Sequence, residues 1–560
     1  MPIELNFIAQ SRAELGTLDW GALIIYMVVM IGIGLWYSRG ERTTESYLLG
    51  GRGLAWWAVG ISFVVSLTST LSLVGVPGEV YNYGLTMTLS FILGPVALLL
   101  AFYLFVRFYF KRRIFTPFEY LEDRFDSRIR IIAAGLFWLT RLTYLGLVLY
   151  SSSKIFQGAA GWNVYWTILV VGIVGVAYTV VGGIRAVVWT DLLQFVVIVV
   201  GLGVLAVIIT QAMPDGVAGI FRITFEQGHG FVDQHGETVL GNRSFYLPSL
   251  NPFHDGTDGR LNLFYDRYIL VLILFHPFVF HFFVFSSDQI GLQRLLSTSS
   301  YKNAERSMYT NLIVGIPMML VMYFVGMAVF SFYHRDGAVG APESGDLALF
   351  RFIGTEMPSP FAGLLLAAML AAVMSTLDSG VNSLATVLTK DFYVRMGKGV
   401  TEASQVTFAK WTTVLVGLFA VVVALTLAAI SEGFFRGDQG AGEGTVDSVT
   451  TVSYVWMALE SVLPGVFLLA VLSRRATANH ALIAILCGWA GSGALMIAFF
   501  VSKHLSPDRT LSMMFIGHGG LVITCVVGFA VTRFAPRRPA GELADKTIWT
   551  LQPKRTDSSA

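Results

Sequence analysis

Residues 371 to 393, AAVMSTLDSGVNSLATVLTKDFY, put one carboxylate and a row of hydroxyls into a stretch otherwise apolar enough to lie in lipid. Counted from Ser375, the residues Asp378, Ser379 and Asn382 follow at three, four and seven positions, so on a helix all four share one stripe. Such a stripe of oxygen atoms suits a small hard cation. The hydroxyls and Asn382 alone would be explained as glue between packed helices. Asp378 would not, because a charge at bilayer depth costs about 2.5 to 3.5 kcal/mol and normally faces a cavity, an ion or a partner. The stripe therefore points to an ion or proton site.

The elements that must position it are membrane helices. The chain is 55% hydrophobic and 13% charged with a mean hydropathy of +0.66, which predicts an all-α polytopic membrane protein and excludes soluble enzymes. Apolar windows predict thirteen spans, near 20–38, 54–80, 84–106, 131–153, 162–181, 189–210, 266–290, 308–333, 359–388, 406–430, 449–473, 479–502 and 511–532. Most of the 38 lysines and arginines fall on alternate connections and on the tail after residue 533. The basic side faces the cytoplasm, so the expectation is a multi-pass plasma (inner) membrane protein with its amino terminus outside and residues 533–560 as a cytoplasmic tail. The polar start lacks the basic beginning of a cleavable signal, so the first apolar run should stay as a helix.

A formal net charge of +2 gives no reason for a nucleic-acid partner. The partners to expect are the lipid bilayer, a small solute and an ion; protein partners are not legible. Cys487 and Cys525 lie in apolar runs and read as small hydrophobes. The segment 211–265 reads as an external loop too short for a catalytic domain, with an Asn242-Arg243-Ser244 sequon that matters only in a eukaryotic secretory route. Residues 431–448, Gly-rich and acidic, read as a mobile external connector.

Four further segments carry polar groups at membrane depth. In the second span Ser66, Thr68, Ser69, Thr70 and Ser72 crowd together, which suits either a discontinuous helix exposing carbonyls to a midplane site or hydroxyls bonded within a packed helix. Gly182-Gly183 should break the helix before Asp191, whose place near a helix start is also favoured by the dipole alone. Pro277 should kink the seventh span near His276, and Asp288-Gln289 could serve a gate or simply cap and solvate the end. His276 is either a ligand contact or a neutral imidazole bonded to a carbonyl. Arg141, mid-span, needs an internal carboxylate or an anionic solute.

WWAVGISF leading into the polar second span, FTPFEYLEDRF (115–125), VGGIRAVVWTDLLQ (181–194), the run from Ser375 to TKDFY and, more weakly, DQIGLQR (288–294) together resemble the sodium:solute symporter family. The resemblance implies the leucine-transporter fold, a single transport domain over 1–560 with two inverted five-helix repeats at 54–210 and 266–473, one helix before and two after. It implies one or two sodium ions as the coupling cofactor. One would be held by main-chain oxygens of Val65, Thr68 and Ala372 and the hydroxyls of Ser375 and Thr376. A second would lie at Asp191 and Ser379, to which Asp378 adds a second carboxylate where several relatives carry Ser. Two carboxylates near one ion repel unless a second cation or a proton is present.

The function expected is sodium-coupled import of a small organic solute by alternating access, with Ser69, Ser72, Arg141 and His276 as its contacts. Arg141 would favour an organic anion such as a monocarboxylate or acidic sugar. A neutral solute or proton coupling is the alternative. A membrane sensor on the same fold is the rival class, and no kinase-like segment is seen after residue 533.

Overall fold

The computed structural model describes residues 15–37, 43–231, 249–251, 262–263, 269–338, 340–342, 344–397, 399–434, 460–505, 511–539 and 541–551. The expectations for the amino-terminal 14 residues, the Asn242 sequon and residues 435–448 of the Gly-rich connector lie outside them.

Among the described residues the architecture is helical, with only two isolated bridges of extended chain. Nine helices among the described residues are long and apolar enough to cross a membrane, or eleven when each of two bent pairs counts as one span. Two further expected spans are represented by the shorter apolar segments Val164–Ala177 and Val462–Leu472. The number thirteen is thus not established by helix length, and residues 449–459, the expected start of the eleventh span, lie outside the described residues.

The first helix, α1 (Thr17–Tyr37), leads through the short α2 (Thr44–Leu49) to the first bent pair, α3 (Trp56–Leu67) and α4 (Thr70–Tyr83), which meet at 62°. The hydroxyl cluster sits at the bend. Thr68 leaves the helix at φ −100°, ψ 103°, while Ser66 and Thr68 donate back to the carbonyls of Phe63 and Val64 at 2.9 and 3.0 Å. Such side chains offer the backbone an alternative to its helical bonds.

After α5 (Ser90–Arg112), α6 (Pro117–Arg124) opens with a capping box between Thr116 and Glu119. Two long helices follow, α7 (Ser127–Ala160) and α8 (Val164–Gln211). The predicted break at Gly182-Gly183 appears as a sharp kink inside α8, where Gly183 takes φ 54°, ψ −160°. A Cβ there would stand 2.4 Å from the Tyr47 carbonyl oxygen, so the close approach of α2 requires glycine.

Beyond α9 (Gly216–Glu226) comes the second bent pair, α10 (Leu270–Ser286) and α11 (Gln289–Leu296), at 57°. The sequence placed this bend near His276. Pro277 instead lies inside α10, and the chain turns at Ser287-Asp288, because Asp288 can start a new helix by accepting the Ile290 amide at 3.1 Å. The remaining elements are α12 (Tyr301–His334), α13 (Gly345–Glu356), α14 (Phe361–Val387), α15 (Glu402–Phe434), α16 (Val462–Leu472), α17 (Ala478–Leu505) and α18 (Met513–Thr532). Helix α14 carries the Ser375 stripe and is the most enclosed of the long helices, 89% buried over its apolar window, packed against α1, α7, α8 and α15.

At the Arg-rich end, Arg124 donates to the Ala470, Ser473 and Ala476 carbonyls and so closes the carboxyl end of α16. Burial pushes its guanidinium down to about 10. The segment expected as a tail docks here through residue 551. Lys546 reaches Asp123, Ile548 N donates to the Val471 carbonyl at 3.1 Å, and the Trp549 indole donates to the Leu472 carbonyl at 2.6 Å.

Candidate functional site

The bend of α3/α4 lies against the middle of α14. Ser375 Oγ donates to the Ala372 carbonyl at 2.9 Å and points at the Val65 carbonyl at 3.4 Å, while Thr376 Oγ1 donates to Ala372 at 3.0 Å. Thr70 ties the far side of the bend to α14 through the Met369 carbonyl at 2.9 Å. Four of the five oxygens named from the sequence, those of Val65, Ala372, Ser375 and Thr376, therefore share one buried seam, and Thr68 begins the bend beside them. Hydroxyls that turn between their own helix and a facing carbonyl, next to unwound backbone, are the donor set that fits a weakly held monovalent cation.

Asp191, Asp378 and Ser379 all lie at depth, each at most 1% exposed, and Arg294 bridges Asp191 to Ser379. The sequence did not foresee what faces Asp191. Arg294, from α11, places Nη2 2.8 Å from Asp191 Oδ2 and donates to the hydroxyls of Ser62 and Ser379. Ser62 in turn donates to Asp191. The position read as a second cation site is thus filled in this conformation by the chain's own guanidinium. Arg294 lay in the weakest of the matching segments, and a lone arginine 17 residues past Pro277 gives no sign of its partner. Tyr26 of α1 and Gln194 of α8 are also buried in this region and were not singled out.

A cavity of about 580 Å³ opens above the bend, lined by α4, α5, α10 and α12 with Tyr144 of α7. Three of the four expected solute contacts, Ser69, Ser72 and His276, line it, together with Glu79, His281 and Asn311. Methionines 87, 318, 319 and 322 and the rings of Phe91, Phe280 and Tyr323 form much of its wall. Among the described residues His276 Nδ1 has no hydrogen bond, and its ring stands 5.3 Å from that of His518 on α18.

Arg141 is placed elsewhere, which corrects the expectation that it faces solute. Its Nη2 lies 3.1 Å from Asp288 Oδ2 and its Nε 3.4 Å from Glu460 Oε1, one helical turn beyond Tyr144 and outside the cavity wall. The internal carboxylate, one of the two partners the sequence allowed, is the one it takes. Asp288 and Gln289, read as a gate, sit at the α10/α11 break, where Gln289 Nε2 donates to the Phe115 carbonyl at 2.8 Å.

The chain is 25% identical over 94% of its length to the sodium/sialic acid symporter of Proteus mirabilis, covering 97% of that protein. It is 25% identical over 87% of its length to human sodium-coupled monocarboxylate transporter 1, covering 74% of it. Among solved structures, the substrate-bound outward-open state of a Na+-coupled sialic acid symporter matches with a TM-score of 0.77 at 23% identity, over 93% of this chain and 99% of the other. That likeness fixes the architecture as the leucine-transporter fold. Residues 47–488 match the family model of the sodium:solute symporters, and the chain belongs to the sodium:solute symporter family.

Proposed function

We propose that the protein carries a small organic solute through the cavity above the α3/α4 bend, driven by sodium bound at the seam between that bend and α14. The supporting observation is the approach of Ser375 Oγ to the Val65 carbonyl, 3.4 Å across the seam. An ion placed between them would fix the bend, and the bend forms the floor of the cavity through Thr68, Ser69 and Ser72. The repeats at 54–210 and 266–473 each begin with a bent pair, which supports their exchange of inner and outer openings. Asp191, Asp378 and Ser379 form the proposed second cation position, entered when Arg294 withdraws. The basic-residue pattern supports an amino terminus outside and a cytoplasmic tail.

For the solute, an organic anion is supported by relatives named for sialic acid and monocarboxylates. A specific observation favours a second reading, an uncharged solute: among the described residues no lysine or arginine lines the cavity, and Arg141 is held by two acids. Sodium-driven uptake into proteoliposomes, run with a panel of anionic and uncharged solutes, tests both. Accumulation that needs an inward sodium gradient is the expected result, and uptake indifferent to sodium would overturn the coupling. Uptake of anions alone selects the first solute class. Uptake of uncharged solutes selects the second.

A further inference from the structure

Arg141 of α7, Asp288 at the α10/α11 break and Glu460 just before α16 form one enclosed group beneath the cavity, drawn from three elements. Asp288 is 2% and Glu460 9% exposed. The guanidinium lies between the rings of Tyr144 and Phe283, 5.3 and 5.1 Å from their centres. Its ion pair with Asp288 is a hydrogen bond, and Asp288 also accepts the Ile290 amide. Its approach to Glu460 is not, for among the described residues neither Arg141 Nε nor Glu460 Oε1 has a hydrogen-bond partner.

The charge count is uneven. Among the described residues, the titratable and charged groups that face this enclosure are Arg141 and Tyr144 from α7, Asp288, Arg294 beyond it on α11, and Glu460. Arg294 is taken by Asp191, which leaves two carboxylates for one guanidinium. A buried excess charge is removed most simply by taking up a proton, and two acids sharing a site titrate as a pair.

We propose that Arg141, Asp288 and Glu460 bind one proton while their three elements are together and release it when they part. The proton comes from solvent and adds to a Glu460 carboxylate oxygen, giving a neutral acid; no other bond forms or breaks. Binding the proton requires only this geometry. Its place in a transport cycle rests on the sodium-symport reading.

The test is infrared difference spectroscopy of the full chain in lipid nanodiscs, in H2O and D2O, with sodium-induced tryptophan fluorescence as a second readout. At neutral pH the wild type should show the isotope-sensitive carbonyl stretch of a protonated carboxylic acid, and Glu460→Gln should lose it. The apparent sodium affinity should depend on pH in the wild type and stay constant in Glu460→Gln. A band absent from the wild type, or one unaltered in both Glu460→Gln and Asp288→Asn, would overturn the proposal, as would a pH dependence that survives both substitutions. A wild type that shows the band but no sodium response would leave the proton site standing and overturn the symport reading instead.

Discussion

Arg294 Nη2 stands 2.8 Å from Asp191 Oδ2, with both side chains closed to solvent. The carboxylate that the resemblance assigns to a second sodium ion therefore has a covalently supplied counter-charge, and a sodium ion would have to compete with it. Breaking such a pair strands the survivor in a medium that cannot solvate it.

Asp191→Asn and Arg294→Gln should each lower stability by about 3 to 5 kcal/mol. The double variant should recover much of that loss, because no lone charge remains. Melting curves of the purified protein in detergent give the comparison, and additive losses in the double variant would deny that the two groups act as a pair.

Ser375→Ala combined with Thr376→Ala should leave melting in sodium-free buffer within about 1 kcal/mol of wild type, since both hydroxyls now bond within their own helix. What it should remove is stabilisation by sodium, which for a bound ion at a hundred times its Kd amounts to about 2.7 kcal/mol. A sodium-induced melting shift of unchanged size would remove these hydroxyls from the site.

Gly183→Ala should destabilise the fold by about 1 to 3 kcal/mol. The residue holds φ 54°, and the added methyl would meet the Tyr47 carbonyl oxygen at 2.4 Å. Gly203→Ala on the same helix, where a Cβ meets nothing within 4 Å, should be neutral or better. Equal melting temperatures for the two variants would contradict this reading of the kink.

At the Arg-rich end, partial burial disfavours the Glu122 carboxylate, yet hydrogen bonds from Arg395 and Arg130 outweigh it and hold the group below its usual range. A carboxyl depressed in the folded state contributes stability above its unfolded pKa and loses it as the pH falls through the folded value. Glu122→Gln should therefore lower the melting temperature at neutral pH, with the gap from wild type closing in acid below the ordinary glutamate range. A gap that stays constant or widens in acid would show that the ion pairs do not stabilise the fold.

What the chain's sequence determined by itself is what depends on local pattern. Apolar windows located the long helices, because lipid demands continuous apolar runs with internally satisfied backbones. Gly182-Gly183 marked a break because it acts on the backbone within a turn, while hydroxyl crowding at Ser66–Ser72 left a bend and a packed helix equally open, and the structure shows the bend. The stripe on α14 was legible from spacing alone and is buried, with Ser375 against the first bent pair and Asn382 against Gln293 of α11. Tertiary structure decided which charges meet. Asp191 and Arg294 are 103 positions apart, Arg141 and Asp288 147 apart, and no periodicity links residues on different helices. For the same reason Arg141 could be read as a solute ligand: its need for a carboxylate followed from its depth in the membrane, but only the packing of α7 against the α10/α11 break and the start of α16 decided that the carboxylates belong to the protein.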